Sequence, residues 1–202
     1  HQPVVVGNGV DLDRFTPGKP TDEPVLMFTG VMSYKPNIDA VTWFARRVMP
    51  RVLAAVPSAR FEIVGKSPTP EVIALGELPG VRVVGPVADT SDSLRGAAVG
   101  VAPMKLAPGV QNKVLEAMAC GLPVVCTSPA AKGIDATPNE HLLVCDDESG
   151  FAAHCARLLL SPAERGRLGG AARQRVQARY HWAAATAPML GLLDLHASSL
   201  SA

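Results

Sequence analysis

Several features that mark particular classes of protein are missing from this sequence. The 19 Lys and Arg residues nearly balance the 18 Asp and Glu residues, and a net charge of +1 argues against a surface built for nucleic acid. No apolar run reaches the roughly 18 residues that would span a bilayer. The chain begins His1-Gln2-Pro3, without an initiator Met or a signal-peptide pattern, which predicts a start in mid-protein.

Cysteine is scarce and forms no metal-binding or disulfide pattern. Cys120, Cys126, Cys145 and Cys155 include no C-x-x-C pair, and no His lies at zinc-finger spacing from them. Two of them, Cys126 and Cys145, lie at the ends of apolar strand-like runs. We therefore expect reduced, buried thiols in a cytosolic protein and no bound metal.

Short apolar runs alternate with longer helical patterns along a chain that is 48% hydrophobic. Several runs are continuous rather than alternating in polarity, which is typical of parallel strands covered on both faces. Repeated strand–helix–strand units predict right-handed crossovers and a doubly wound α/β sheet of about six strands. The predicted strands are residues 25–29, 61–64, 81–84, 99–102, 123–126 and 141–144.

Helical patterns fill the intervals between the runs and the end of the chain. Pro36 suits a first helical turn, and Pro57 and Gly121 suit helix ends. After residue 144 no strand-like run follows, so the fold should end in helices. The predicted helices are residues 36–56, 71–77, 91–97, 112–119, 148–160, 162–180 and 182–198.

Ligands of an open parallel sheet bind beyond the carboxyl ends of its strands. Gly30 leaves the first strand and Lys35 precedes a helix, an arrangement that suits a phosphate as well as an ordinary loop with a solvated Lys. Gly65 and Gly85 follow the next two strands, where glycine permits close approach of a ring or phosphate but is also routine in turns. Neither G-x-G-x-x-G nor a P-loop is present.

The richest stretch is residues 103–125. Gly109 lies in a loop that leads into a helix N-terminus, which favours anions. Lys113 and Glu116 follow on one face of that helix. The Glu116 carboxylate could accept two hydrogen bonds from a vicinal diol such as a ribose, or the two residues could form a surface pair worth a few tenths of a kcal/mol.

Residues 115–125 read L-E-A-M-A-C-G-L-P-V-V and resemble the signature of family 4 retaining glycosyltransferases of the GT-B fold, E-G-x-G-x-x-x-L-E-A-M-A-x-G-x-P-V-V. Asn8-Gly9-Val10-Asp11 and Tyr180-His181-Trp182 resemble segments that begin and end the second domain of such enzymes. Residues 31–37 and 109–113 resemble most a bacterial branch linked to exopolysaccharide biosynthesis. The likeness covers essentially the whole chain, but only the C-terminal half of such an enzyme.

This resemblance implies a Rossmann-like domain that binds a nucleoside diphosphate sugar. Residues 1–24 would lead in from the missing N-terminal domain, 25–180 would bind the nucleotide sugar, and 181–202 would form a crossover helix. The implied diphosphate-binding residues are Gly30, Lys35, Gly109, Gln111, Asn112 and Lys113. Glu116 would bind the ribose, and Gly65, Lys66 and Val87 would lie at the base.

The implied reaction is glycosyl transfer to a polysaccharide or lipid-linked acceptor, without a cofactor or metal. Catalytic residues on the acceptor side would belong to the missing domain, so we expect the isolated chain to be inactive. The expected location is cytoplasmic, with the full-length protein peripheral at the inner face of the membrane.

Two departures from the family pattern leave alternatives open. The first signature glutamate falls at Pro108, and the arginine that often follows the first-strand glycine is Val31 or Met32. A sugar-nucleotide epimerase of the same fold is one alternative, although no His lies near Gly30, Gly65 or Gly109. A non-catalytic nucleotide-binding domain is the other.

Overall fold

A six-stranded, all-parallel sheet forms the centre of the protein. The computed structural model describes residues 8–19, 21–183, 185, 186 and 189. The strands are β1 (Val25–Thr29), β2 (Arg60–Val64), β3 (Val81–Gly85), β4 (Val99–Ala102), β5 (Val124–Cys126) and β6 (Leu143–Val144). Their order is β3-β2-β1-β4-β5-β6, so the direction of winding reverses between β1 and β4. The predicted doubly wound, Rossmann-like sheet is confirmed.

The continuous apolar runs became the strands that are covered on both faces. Every residue of β1, β4 and β5 is buried, whereas the edge strand β3 keeps one exposed and two half-buried positions. Helices close both faces, and three aromatic rings, Phe44, Phe61 and Phe151, pack together on one of them. The core therefore follows the periodicity of the sequence.

The helix predicted over residues 36–56 is present, but it is interrupted. α1 (Lys35–Trp43) continues into a π-helical turn at Phe44–Val48 and then into α2 (Met49–Ala55). The Met49 N–H donates to the Phe44 carbonyl, five residues earlier. Pro50 follows, and a proline both lacks an N–H and clashes with the carbonyl four residues before it, so a widened turn accommodates it.

The remaining helices lie close to their predicted positions, apart from one that the sequence pattern missed. α6 is only four residues long, too short for a periodic signal. Of the helix predicted over residues 182–198, most lies outside the described residues. The other helices are α3 (Pro70–Ala74, followed by a 3-10 turn), α4 (Thr90–Arg95), α5 (Asn112–Ala119), α6 (Ser128–Ala131), α7 (Glu148–Leu160) and α8 (Pro162–Arg179).

The segment before β1 packs on the domain that follows it. Val10 and Phe15 are buried, and the Val10 N–H donates to the Tyr180 carbonyl at 2.7 Å. Arg173 of α8 donates to the carbonyl of Phe15 at 3.0 Å. This contact brings residues 8–19 next to α5, although the division of the chain at residues 24 and 180 stays a prediction.

The cysteines match the expectation of free thiols. All four are free, and Cys120, Cys126 and Cys155 are buried, but the expectation of burial is wrong for Cys145, which is half-buried beside Asp147. Burial raises the pKa of Cys126 to about 12, so its thiol stays protonated at neutral pH.

Two adjacent glycines of α8 provide a test of how this helix packs against the end of α5. A Cβ on Gly169 would overlap the Gly121 carbonyl oxygen at the end of α5, whereas a Cβ on Gly170 meets nothing within 4 Å. We expect Gly169→Ala to lower the free energy of unfolding by about 1–3 kcal/mol. Gly170→Ala should raise it by about 0.5–1 kcal/mol, because alanine is the better helix former.

Urea denaturation of both variants and the wild-type chain measures the difference. Equal changes in the two variants would contradict the packing of α5 against α8.

Candidate functional site

The crevice of the doubly wound sheet opens where β1 and β4 diverge. Two loops border it, residues 30–34 between β1 and α1, and residues 103–111 between β4 and α5. Because both helices begin at this edge, their first-turn N–H groups lie beside the crevice. The structure therefore brings together the two stretches that the sequence singled out for phosphate binding.

Lys113, in the first turn of α5, is a half-buried cation with uncharged partners. Its Nζ donates to Asn37 Oδ1 at 2.5 Å, lies 3.6 Å from Met104 Sδ, and stands 4.4 Å from the centre of the Phe28 ring. No carboxylate in the described part of the chain lies within 4.0 Å of it. Burial lowers the pKa of Lys113 to about 8, and the Glu116 carboxylate offsets part of this shift.

Glu116, one turn further along α5, is a half-buried carboxylate. Among the described residues, none donates a hydrogen bond to it. Burial raises its pKa, while the charges of Arg14 and Lys113 lower it. The side chain lines a cavity of about 260 Å³ whose other walls are Asn8, Gly9, Val10, Asp11, Arg14, Phe15, Asn112, Leu115 and Trp182.

The N-terminus of α5 has backbone N–H groups without an acceptor among the described residues. Gln111 occupies the cap position, but its side chain donates to the Pro108 carbonyl at 3.2 Å and does not cap the helix. Asn112 Oδ1 accepts a hydrogen bond from Asn8 Nδ2 at 2.9 Å. Gly109 lies in the exposed loop with a φ of +69°. The N–H groups of Asn112 and Lys113 have no acceptor among the described residues, whereas that of Val114 donates to the Gln111 carbonyl at 2.9 Å. Two first-turn donors would thus be available to an anion.

Lys35 has different partners from Lys113. Its Nζ is 2.7 Å from Asp39 Oδ1 on the exposed side of α1, and this pairing raises the pKa of Lys35. The side chain is 69% exposed and lines a separate cavity with Trp43 and Lys105. A role for Lys35 at a diphosphate stays a prediction, and it would require Lys35 to exchange Asp39 for the ligand.

The loops after β1 and β2 are in direct backbone contact. Gly65 has a φ of +150°, and a Cβ there would overlap the Gly30 carbonyl oxygen, so only glycine fits. The Met32 N–H donates to the Lys66 carbonyl at 2.7 Å, and Lys66 is exposed. Val87 is half-buried against the core. Gly65 and Lys66 thus lie beside the loop after β1, Val87 follows the neighbouring strand β3, and a role at the base stays a prediction for all three.

Sequence reasoning assigned no role to several residues that shape this site. Asn37 is buried between Val31 and Lys113, and nothing in a lone Asn at a helix start signals that contact. Arg14 pairs with Asp89 at 3.1 Å, and its hydrogen bond holds the pKa of Asp89 at about 2, well below the usual range. The Asn37–Lys113 and Arg14–Asp89 contacts join residues more than 70 positions apart, which no local pattern could indicate.

Two features are absent from the part of the chain that the structure describes. No three His, Cys, Asp or Glu side chains come together there as ligands for a metal ion. In the same part of the chain, no helix is both long enough and apolar enough to cross a membrane.

Comparison with known proteins places this geometry in a family. The family model "Glycosyl transferases group 1" matches residues 23–161. The GDP-mannose-dependent monoacylated alpha-(1-6)-phosphatidylinositol monomannoside mannosyltransferase of Corynebacterium glutamicum is 27% identical over 200 residues, which cover 87% of this chain and 51% of that protein. The chain thus spans about half the length of this curated relative.

Solved structures share the fold. The C-terminal domain of a group 1 glycosyl transferase, LpcC from Francisella tularensis, matches with a TM-score of 0.68 at 18% identity, over 86% of this chain and 100% of that domain. Anabaena HepE in complex with UDP and glucose matches with a TM-score of 0.75 at 14% identity, over 95% of this chain and 56% of that one. With the family model matching most of its length on this fold, the chain belongs to the glycosyl transferases group 1 family.

Proposed function

We propose that this chain is the donor-binding half of a glycosyltransferase, which transfers a sugar from a nucleoside diphosphate sugar to a polysaccharide or lipid-linked acceptor. The observation that carries the proposal is the pair on α5. Within the described part of the chain, the half-buried Lys113 ammonium has no carboxylate partner and the half-buried Glu116 carboxylate has no hydrogen-bond donor, and the two stand one turn apart at the crevice. A ligand that suits both would carry an anionic group for Lys113 beside a hydrogen-bond donor for Glu116, as a nucleoside diphosphate does.

The geometry supplies what the departing diphosphate needs. As the glycosidic bond breaks, negative charge builds on the leaving group, and preorganised donors stabilise it where it develops. Lys113 offers its ammonium, and the first turn of α5 offers backbone N–H groups and the positive end of the helix dipole. These groups are held in place before the ligand arrives, so little reorganisation accompanies the reaction.

Glu116 fits the ribose in this proposal. Its carboxylate lines the cavity next to Asn8, and two vicinal hydroxyls would satisfy its two oxygens. The base would then lie toward Gly65, Lys66 and Val87. Support also comes from relatives, since the Corynebacterium enzyme is named GDP-mannose-dependent and the HepE structures contain UDP.

The remaining parts of the proposal concern the whole enzyme. The acceptor would bind a second, N-terminal domain, and transfer would need neither a cofactor nor a metal. The resemblance of residues 31–37 and 109–113 to the exopolysaccharide-linked branch supports a polysaccharide-building role in the bacterial cytoplasm.

Nucleotide binding by this chain is the first expectation. UDP, GDP, ADP and TDP should be compared by calorimetry, and we expect one of them to bind with a Kd of about tens of micromolar, or about −6 kcal/mol. Thermal unfolding in millimolar nucleotide is the second measurement, because a ligand of the folded state raises Tm. Absence of both heat and stabilisation with all four nucleotides would overturn the donor site.

Glu116→Gln tests the assignment to ribose. The variant should weaken nucleoside diphosphate binding by about 1.5–3 kcal/mol, the value of a hydrogen bond to a charged group, and leave pyrophosphate binding unchanged. Glu77→Gln is the matched control, since this exposed residue precedes β3 at the opposite end of the strands. Equal losses of affinity for both ligands would contradict the assignment of Glu116 to the ribose.

The pH dependence of binding tests Lys113. The pKa of about 8 means that the ammonium is charged at pH 7 and mostly neutral at pH 9.5. Affinity for the diphosphate should therefore be highest below pH 8 and fall as the pH rises through 8. Lys113→Arg should show no such fall, because a guanidinium keeps its charge.

Lys35→Ala is the comparison variant for that profile. If Lys35 leaves Asp39 to bind the diphosphate, the variant weakens binding and retains the fall above pH 8. A pH profile that is flat in the wild-type chain would show that the Lys113 charge does not contribute.

A further inference from the structure

Asn37 is one of the few polar side chains that the described fold buries. It is 5% exposed, near the start of α1, and the other buried polar residues in the described ranges are Thr29, Ser91 and Thr127. An amide in such a position must be hydrogen-bonded, because burying it unpaired would cost about 1–3 kcal/mol. The hydrogen-bond partners of Asn37 therefore indicate which groups this side chain holds in place.

Those partners belong to two different elements of the crevice. Asn37 Nδ2 donates to the Val31 carbonyl in the β1–α1 loop at 2.9 Å, and Asn37 Oδ1 accepts from Lys113 Nζ of α5 at 2.5 Å. Gly30 is fitted to the same side chain, since a Cβ there would lie 2.7 Å from Asn37 Nδ2. One amide thus joins the loop after β1 to the cation of α5.

The hydrogen-bond partner of the Lys113 ammonium is polar but uncharged, and its other contacts are apolar or only weakly polar. Phe28 of β1 presents its ring and Met104 its sulfur. The charged groups nearby are engaged elsewhere: on α1, Lys35 and Asp39 pair with each other. Glu116, on the same helix, forms no ion pair with Lys113 within 4.0 Å. The charge of Lys113 is held in place without being neutralised.

We infer that Asn37 is a positioning residue, which aims the Lys113 ammonium into the crevice and leaves its full charge for the diphosphate of the donor. This inference rests on the proposed function. The choice of amide matters: a carboxylate at position 37 could still accept from the ammonium, but it could not donate to the Val31 carbonyl and would cancel the ammonium charge before any ligand arrived. An alanine would remove the one strong acceptor that the ammonium has among the described residues.

Three variants separate positioning from a purely structural role. Asn37→Ala removes the acceptor, Asn37→Asp replaces it with an anion of the same shape, and Val41→Ala is the matched control. Val41 is fully buried on the same helix, so its truncation destabilises α1 without touching Lys113. For each chain, calorimetry would measure pyrophosphate and UDP binding, and ¹³C NMR of labelled lysines, assigned with Lys113→Arg, would measure the pKa of Lys113.

We expect both Asn37 variants to weaken pyrophosphate and UDP binding by about tenfold or more, the equivalent of about 1.4 kcal/mol. The pKa of Lys113 should move in opposite directions: down in Asn37→Ala, because the acceptor is lost, and up in Asn37→Asp, because an anion favours the charged form. Val41→Ala should lower the stability and change neither the affinity nor the pKa.

Two results would overturn the inference. The first is a loss of stability in both Asn37 variants with wild-type affinity and an unmoved Lys113 pKa. The second is an equal loss of affinity in Val41→Ala. If the wild-type chain binds neither ligand, the proposed donor function fails instead, and the opposite pKa shifts of Lys113 still decide whether Asn37 holds the ammonium.

Discussion

Desolvation of a single positive charge is the constraint around which this crevice is arranged. The Lys113 ammonium has left much of its water, which is costly unless other groups replace it. An amide oxygen, a thioether and an aromatic ring replace part of that hydration, but none of them supplies a negative charge. In the proposed function, an anionic ligand would supply that charge, so the desolvation cost that destabilises the free site would favour ligand binding.

The fold places the other groups at the site as a consequence of its topology. All strands run in one direction, so the loops after β1, β2 and β4 meet at one edge, and the reversal between β1 and β4 opens the space between two of them. Close backbone contact of Gly30 with Gly65 keeps the first two loops together. Packing of α5 against α8, with Gly169 beside Gly121, fixes the helix that carries Lys113 and Glu116. The site is thus supported from the core rather than by the loops themselves.

Prediction from sequence succeeded where the signal is local or periodic. Continuous apolar runs marked β1, β4 and β5 because both faces of these strands are buried, and α5 was found within its observed bounds because Gly121 ends it in a left-handed turn. It failed where a short element or a backbone defect was involved. α6 has a single turn, and the π-helical turn before Pro50 leaves the helical periodicity almost unchanged.

What the sequence determined by itself is the class of fold, the order of its elements and the helix that bears Lys113 and Glu116, since these depend on the period of apolar residues and on a contiguous motif. Which lysine is desolvated beside the crevice was decided only by the tertiary structure. From the sequence alone, Lys35 and Lys113 are equally plausible as the desolvated lysine. In the structure, Asp39 lies one helical turn from Lys35 and pairs with it in solvent. Lys113 meets Asn37, 76 positions away, inside the fold. Charge and burial are properties of neighbours, and these neighbours come together only when the sheet has formed.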